Sequence, residues 1–302
     1  DRLETVYEVI GYNFDFGDAT LDGDTVTVAG GTLSLLPVDG DEGSHEMSFD
    51  TTITFTGVTE GEDGSYMAET VTIPDIDMDF EQDDVAGHVS LADIRVDGLY
   101  LPAGDPVPAT GLLQLFKSFS TGPLSLEREG TEVFSFASVE SNSTFNPEFG
   151  TAELTDVKSI FDINDMTVDL TTLGEEDPAA AANVEALGLT TINANLHMDI
   201  DWSMADGRMV VNDFLLDAAD VGKLNIRSEI TGFTPEVLDQ IYAMQASMKS
   251  GDDEVSEEQA QAQMMQGLAL LQNVNVVSAS IRYDDASFAN KLLDQLATQN
   301  GA

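Results

Sequence analysis

From Ile192 to Ser203 the chain alternates without an error. Ile192, Ala194, Leu196, Met198, Ile200 and Trp202 interleave with Asn193, Asn195, His197, Asp199, Asp201 and Ser203. A period of two fits only an extended strand with one apolar and one wet face, so a sheet must form here and must bury one side. Asp206-Gly207 supplies a tight turn. A return strand over about 208–217 follows, then a third with Leu224, Ile226 and Ile230 on one face and Lys223, Asn225, Arg227 and Glu229 on the other. The stretch 190–232 therefore reads as an antiparallel meander with one greasy face.

The first half carries the same signature. Thr25 to Val28 and Thr32 to Leu35 flank Gly30-Gly31 as a hairpin would, and 51–58 and 66–73 repeat the alternation across a turn at Glu62-Asp63-Gly64. Residues 132–139 and 158–170 continue it. One amphipathic turn or two of helix is expected at Leu112, Leu113, Leu115, Phe116 and Phe119. A short motif recurs (Asp, apolar, any, apolar, Asp) starting at Asp75, Asp93, Asp165 and Asp213. Its irregular spacing marks a repeated strand type and not a solenoid period.

A boundary is drawn at Gly174 to Pro178, with Asp177 as a helix cap and Pro178 in the first turn of a short helix running to Gly188. This gives a β-rich portion 1–174 and an α+β portion 175–302. In the latter, helices of about 235–249, 257–272 and 286–298 cover the meander, and Val277, Ala279, Ile281 and Tyr283 form one more strand. The expected fold class is mainly β: extended antiparallel sheets, as an open curved sheet or a sandwich, ending in an α+β portion.

Charge bounds the partners. Against 56 Asp+Glu stand 11 Lys+Arg, a formal net charge of −45, and no Lys or Arg occurs between Arg2 and Arg95. Such a field repels nucleic-acid phosphates and anionic headgroups alike. It suits either a salt-adapted surface or one that collects divalent cations. With no cysteine, disulfides and thiolate metal sites are excluded. No run reaches the ~18 apolar residues of a membrane span. The opening Asp1, in place of Met, leads us to expect an export signal removed upstream.

Catalytic patterns are missing. Asp75, Asp77 and Asp79 lack the Gly and Glu that a calcium loop needs, since Phe80 and Ala86 stand there. His45, His88 and His197 have no helical metal-pair spacing. There is neither a serine elbow nor a phosphate-cradling loop, so no enzyme activity, metal or cofactor is expected. The methionines are more informative: Met244, Met248, Met264 and Met265 fall on two helices separated by an exposed loop at Gly251 to Glu254. Methionine fills cores and also lines adaptable grooves. The expected ligand groove comprises Leu196, Met198, Ile200, Trp202, Leu224, Ile226 and Ile230 of the meander with Met244, Met248 and Met264 above it.

Several stretches resemble a known style of chain. Leu3-Glu4-Thr5-Val6-Tyr7, Asp22-Gly23-Asp24-Thr25-Val26, Asp199-Ile200-Asp201-Trp202, Asp220 to Leu224 and Ile281 to Phe288 look like exported alphaproteobacterial proteins of unknown function, distantly similar to AsmA-like envelope proteins. The resemblance implies a periplasmic home and an open sheet whose apolar face handles lipid. The expected function is thus a periplasmic binder of lipid or another hydrophobic molecule, with a non-catalytic structural or interaction module of the envelope as the alternative.

Overall fold

The computed structural model describes residues 2–9, 12–35, 46–82, 85–151, 153–172, 184, 186–249, 265, 267 and 272–299. Strand accounts for 59% and helix for 15%, and among the described residues 18 strands form an open antiparallel sheet that does not close. The fold is therefore mainly β, as the alternation requires.

The strands are β1 (Tyr12–Phe16), β2 (Ala19–Asp22), β3 (Thr25–Leu35), β4 (Glu46–Thr56), β5 (Thr59–Glu60), β6 (Tyr66–Ile73), β7 (Ile76–Gln82), β8 (Val85–Leu91) and β9 (Ile94–Leu101). They continue as β10 (Phe116–Thr121), β11 (Leu124–Arg128), β12 (Thr131–Phe136), β13 (Ser138–Asn146), β14 (Asp156–Asp169), β15 (Thr191–Ser203), β16 (Arg208–Ala218), β17 (Gly222–Thr231) and β18 (Asn275–Asp285). The helices whose bounds fall among the described residues are α1 (Arg2–Val9), α2 (Ala109–Leu112), α3 (Pro235–Lys249) and α4 (Phe288–Gln299).

Register shows how this sheet is built. One path runs β3–β4–β6–β9–β10–β13–β14, and a second runs β7–β8–β11–β12–β14. Both arrive at the same edge of β14, whose residues 156–164 pair with β13 and whose Thr167 and Val168 pair with β12. Four long strands are thus each broken once, and the breaks line up as a crease. Along it lie Pro74-Asp75, Ala92-Asp93, Gly122-Pro123, Ala137 and Asn164-Asp165.

The crease has its own bonds. Asp93 N donates to Asp75 Oδ1 (2.9 Å), Gly122 N to Ala92 O (2.8 Å), Ala137 N to Asn164 O (2.9 Å) and Asp165 N to Asn195 Oδ1 (2.9 Å). Asp93 and Asp165 adopt φ of 54° and 52°, a left-handed backbone that Asp tolerates better than most residues because its short side chain bonds locally. The recurrent motif acquires a physical meaning here. Its first aspartates Asp75, Asp93 and Asp165 sit on the crease, and Asp213 sits at the irregularity of β16 between Val211 and Phe214.

Three expectations are corrected. Residues 25–35 are one strand, not a hairpin: Gly30 at φ 68° makes a bulge between Ala29 and Gly31, and β1 and β2 together occupy one edge of β3. The helix expected through Phe119 stops at Leu112, and Phe116 to Thr121 lie instead between β9 and β13, whose ladders take up their backbone groups in place of helical bonds. The opening segment, read with a strand-rich half, is helix α1, which drives Val6 to 0% exposure against the sheet. Of the short helix expected after Pro178, residues 184, 186 and 187 are helical and Gly188 has φ 66°; the remainder lies outside the described residues, as does most of the helix expected at 257–272.

The core lies on one face at one end of the sheet. Val6 of α1 packs with Val28, Ile53, Phe55, Val71 and Leu99, and Leu238 of α3 packs with Val157, Trp202 and Met204. Arg2 fixes α1 by donating to Pro102 O (2.6 Å) and Gly104 O (2.9 Å). The wholly buried Gln114 is saturated, donating to Thr110 O and Thr151 O and accepting from Gly150 N and Thr151 N.

Candidate functional site

Alternation places every second side chain of a strand on one face, and register decides which of them stand side by side. Here register produces one apolar row across twelve strands. It begins with Leu21, Val26, Phe55, Val71, Val96 and Phe119. It continues through Ser141, Phe161, Met198, Phe214, Ile226 and Ile281. Ser141 is its one polar member. The β-irregularities of β14 and β16 preserve the row, because each extra residue is absorbed between two inward-facing apolar ones: Ile163 and Met166 in β14, Val211 and Phe214 in β16.

A parallel row runs Val139, Ile163, Leu196, Leu216, Leu224 and Tyr283. Beyond the crease Met78, Val89, Leu126, Phe134, Val168 and Ile192 form another. Together these rows floor a broad apolar surface. Under α1 it deepens into a cavity of about 330 Å³ lined chiefly by Leu3, Phe16, Val26, Phe55, Tyr66 and Leu99. Val26 and Phe55 belong to both the cavity and the transverse row, so the two are continuous.

The groove residues expected from sequence take these places. Leu196, Met198, Ile200, Trp202, Leu224, Ile226 and Ile230 share the floor: Trp202 joins Met209 and Ile230, Met198 joins Phe214 and Ile226, and Leu196 joins Leu216 and Leu224. Trp202 is set apart by burial, at 8% exposure. Its ring stacks on Phe233 at 5.3 Å, and its indole N–H donates to Phe233 O at 3.0 Å. It anchors the entry to α3 and is core, while Met198, Ile200, Leu224 and Ile226 are only half-buried. Met244 is half-buried on α3; the side chain of Met248, in the last turns of α3, and the whole of Met264 lie outside the described residues. Sequence reading missed Phe119, Phe161 and Phe214 and the entire cavity. Phe161 between Ile160 and Asp162 gave a faint period-two signal, but nothing local shows that α1 roofs Phe55.

Among buried side-chain polar atoms of the described residues, Thr121 Oγ1 lacks a hydrogen-bond partner. Thr121 is 5% exposed and stands beside Val139 on the floor.

The opposite face is charged and internally paired. His88 Nδ1 lies 2.9 Å from Asp79 Oδ1 and its Nε2 lies 3.5 Å from Asp77, and this hydrogen bond to Asp79 raises the imidazole pKa above its usual value. Arg95 contacts Asp97 at 2.6 Å and holds that carboxyl below the ordinary range. Arg95 and Asp97 share β9, whereas Lys158–Asp201, His197–Asp162, Arg208–Glu229 and Lys223–Asp217 pair across neighbouring strands. Among the described residues no three His, Asp or Glu side chains are grouped to hold a metal ion, and no helix is long and apolar enough to cross a membrane.

Comparison with known proteins adds one finding: a family model described as an uncharacterized protein matches residues 215–302, from within β16 through α4. No curated protein and no solved structure matches.

Proposed function

We propose that this protein binds a lipid or another long hydrophobic molecule along the inner face of its open sheet, as a periplasmic component of the cell envelope. The observation that carries the reading is the apolar row from Leu21 to Ile281. It is broad and continuous, it joins the cavity under α1, and over β14 to β17 its members are half-buried. An acyl chain laid on such a floor gains about 0.8 kcal/mol per buried CH₂, so affinity needs no charged contact. The −45 charge disfavours anionic headgroups and points to neutral or zwitterionic cargo. An interaction role in the envelope is the second reading, favoured by the exposure of β18 along its whole length.

The test is native mass spectrometry of protein purified without detergent, with fluorescent acyl probes titrated in parallel. We expect bound lipid, lost on Met198→Asp or Ile226→Asp and retained on Ile160→Asp, an exposed position on the outer face of β14. A folded, lipid-free protein that ignores the probes would sink the proposal.

A further inference from the structure

The edges of the open sheet are built differently: β7, whose described partner is β8, is seven residues long and carries Asp77, Asp79 and Glu81. One edge is divided between β1 and β2, of five and four residues, and carries Asp15 and Asp22 with Asp18 between them. Short, charged edge strands are a known guard against edge-to-edge pairing. A further edge is β18, eleven residues long, paired along its length with β17 and bordered on its far side by no described strand. Val276, Val277 and Ile281 are 69%, 57% and 73% exposed. Such an edge is a template for another strand.

Charge narrows what that strand can be. In a chain with 56 acids, no Asp or Glu occurs from Gln259 to Tyr283. Along β18 the acids are Asp284 and Asp285 at its last two positions, behind Arg282, so over Asn275 to Tyr283 a second copy meets no like charge. Ladder phase then supplies the geometry. Ala286 N donates to Val221 O (3.1 Å), and Gly222 stands opposite Asp285. Bonded pairs alternate along an antiparallel ladder, so Ser280, Arg282 and Asp284 bond inward to β17. The N–H and C=O groups of Ala279, Ile281 and Tyr283 therefore point away from it.

We infer that β18 is a self-association edge, pairing antiparallel with β18 of a second copy across a two-fold axis. A register centred on Ser280 sets Ala279 against Ile281 and Ser278 against Arg282, and brings no acid opposite an acid. Residues of one parity meet residues of the same parity, so the apolar faces of both copies lie on one side and the row ending at Ile281 continues into the partner. The isologous arrangement closes on itself. Pairing depends on backbone groups of the edge and is independent of whether the floor holds lipid.

Sedimentation velocity of the full chain tests this, across protein concentration and in sodium chloride up to about 1 M, where the screening length is about 3 Å. A monomer–dimer equilibrium is expected, with the dimer fraction rising with salt as repulsion between the two acidic bodies is screened. Ala279→Pro removes an outward N–H that β17 does not use, and edge strands accept proline. This variant should keep its far-UV spectrum and, at dilutions where the wild type is monomeric, its melting temperature, yet remain monomeric at concentrations where the wild type pairs. Ser280→Pro removes an inward N–H and should instead loosen β18 itself. In the wild-type dimer, the amides of Ala279, Ile281 and Tyr283 should exchange more slowly than in the monomer. A wild-type chain monomeric at every salt concentration overturns the inference. So does a dimer unmoved by Ala279→Pro, and so does open-ended growth into larger assemblies, the mark of head-to-tail pairing.

Discussion

The sheet under α1 and the meander of β15 to β17 have the same alternating sequence and different fates. In the first, Val28, Ile53, Phe55, Val71 and Leu99 are all at or below 9% exposure, because Leu3, Val6 and Val9 of α1 press on them. In the second, Met198, Ile200, Phe214 and Ile226 are half-buried, and their neighbour Ile281 on β18 is 73% exposed. Period two decides which face a side chain takes. Whether that face is covered depends on a segment that arrives from elsewhere in the chain. The contrast separates core from candidate binding floor within one continuous row.

Truncation should expose the difference most strongly. Phe55→Ala, beneath α1, is expected to cost about 3–5 kcal/mol as a buried large-to-small change. Phe214→Ala, in the same row, should cost less, since that side chain is only half-buried. Guanidinium unfolding of both variants measures this, and equal costs would mean that the meander floor is as covered as the core.

Salt acts on both regions together. Relief of the repulsion within a −45 chain should raise the melting temperature with sodium chloride, by about 2–4 °C for each kcal/mol gained in a chain of this order of size. Because β14 joins the regions through a full-length ladder with β15, one transition should move as a unit. Two transitions of different salt sensitivity would divide the sheet at that seam.

Thr121 sits where the covered region meets the floor. Thr121→Val replaces an unpartnered buried hydroxyl with a methyl of similar shape, and should stabilise by about 1 kcal/mol. A loss in place of a gain would show that the hydroxyl is satisfied.

The smallest effect concerns the outer face. His88 has a raised pKa because of Asp79. Its stabilising contribution is fully present below the unfolded value of about 6.5 and is lost as pH rises through the higher folded value. The Asp97 carboxyl, lowered by Arg95, works in the opposite sense: its contribution is present above an unfolded value of about 3.9 and is lost as pH falls through the folded one. Melting curves of His88→Ala and wild type should therefore converge on the alkaline side and diverge below about pH 6.5.

Much of this was open to reading from local pattern, because strands and turns are specified locally. The alternation of β15, the Asp206-Gly207 turn and the helix start at Pro235 each follow from a few neighbouring residues. The aspartate motif was visible, but its meaning was not. An Asp at the head of an alternating stretch says nothing about bending until strands lie side by side and their breaks fall into line. Gly30-Gly31 misled for a related reason: glycine permits a turn and a bulge equally, and only the strands on either side of β3 select the bulge.

By itself, then, the sequence determined the sheet, the inward apolar residues of β15 and β17 and the acidic exterior, since each is set by period two and by charge. Tertiary structure decided the crease, the row that joins Leu21 to Ile281, the roof that α1 places over Phe55 and the bareness of β18. Each of these depends on register or cover between segments distant in the chain. Local propensity does not encode such distances; the backbone pairing of the assembled sheet does.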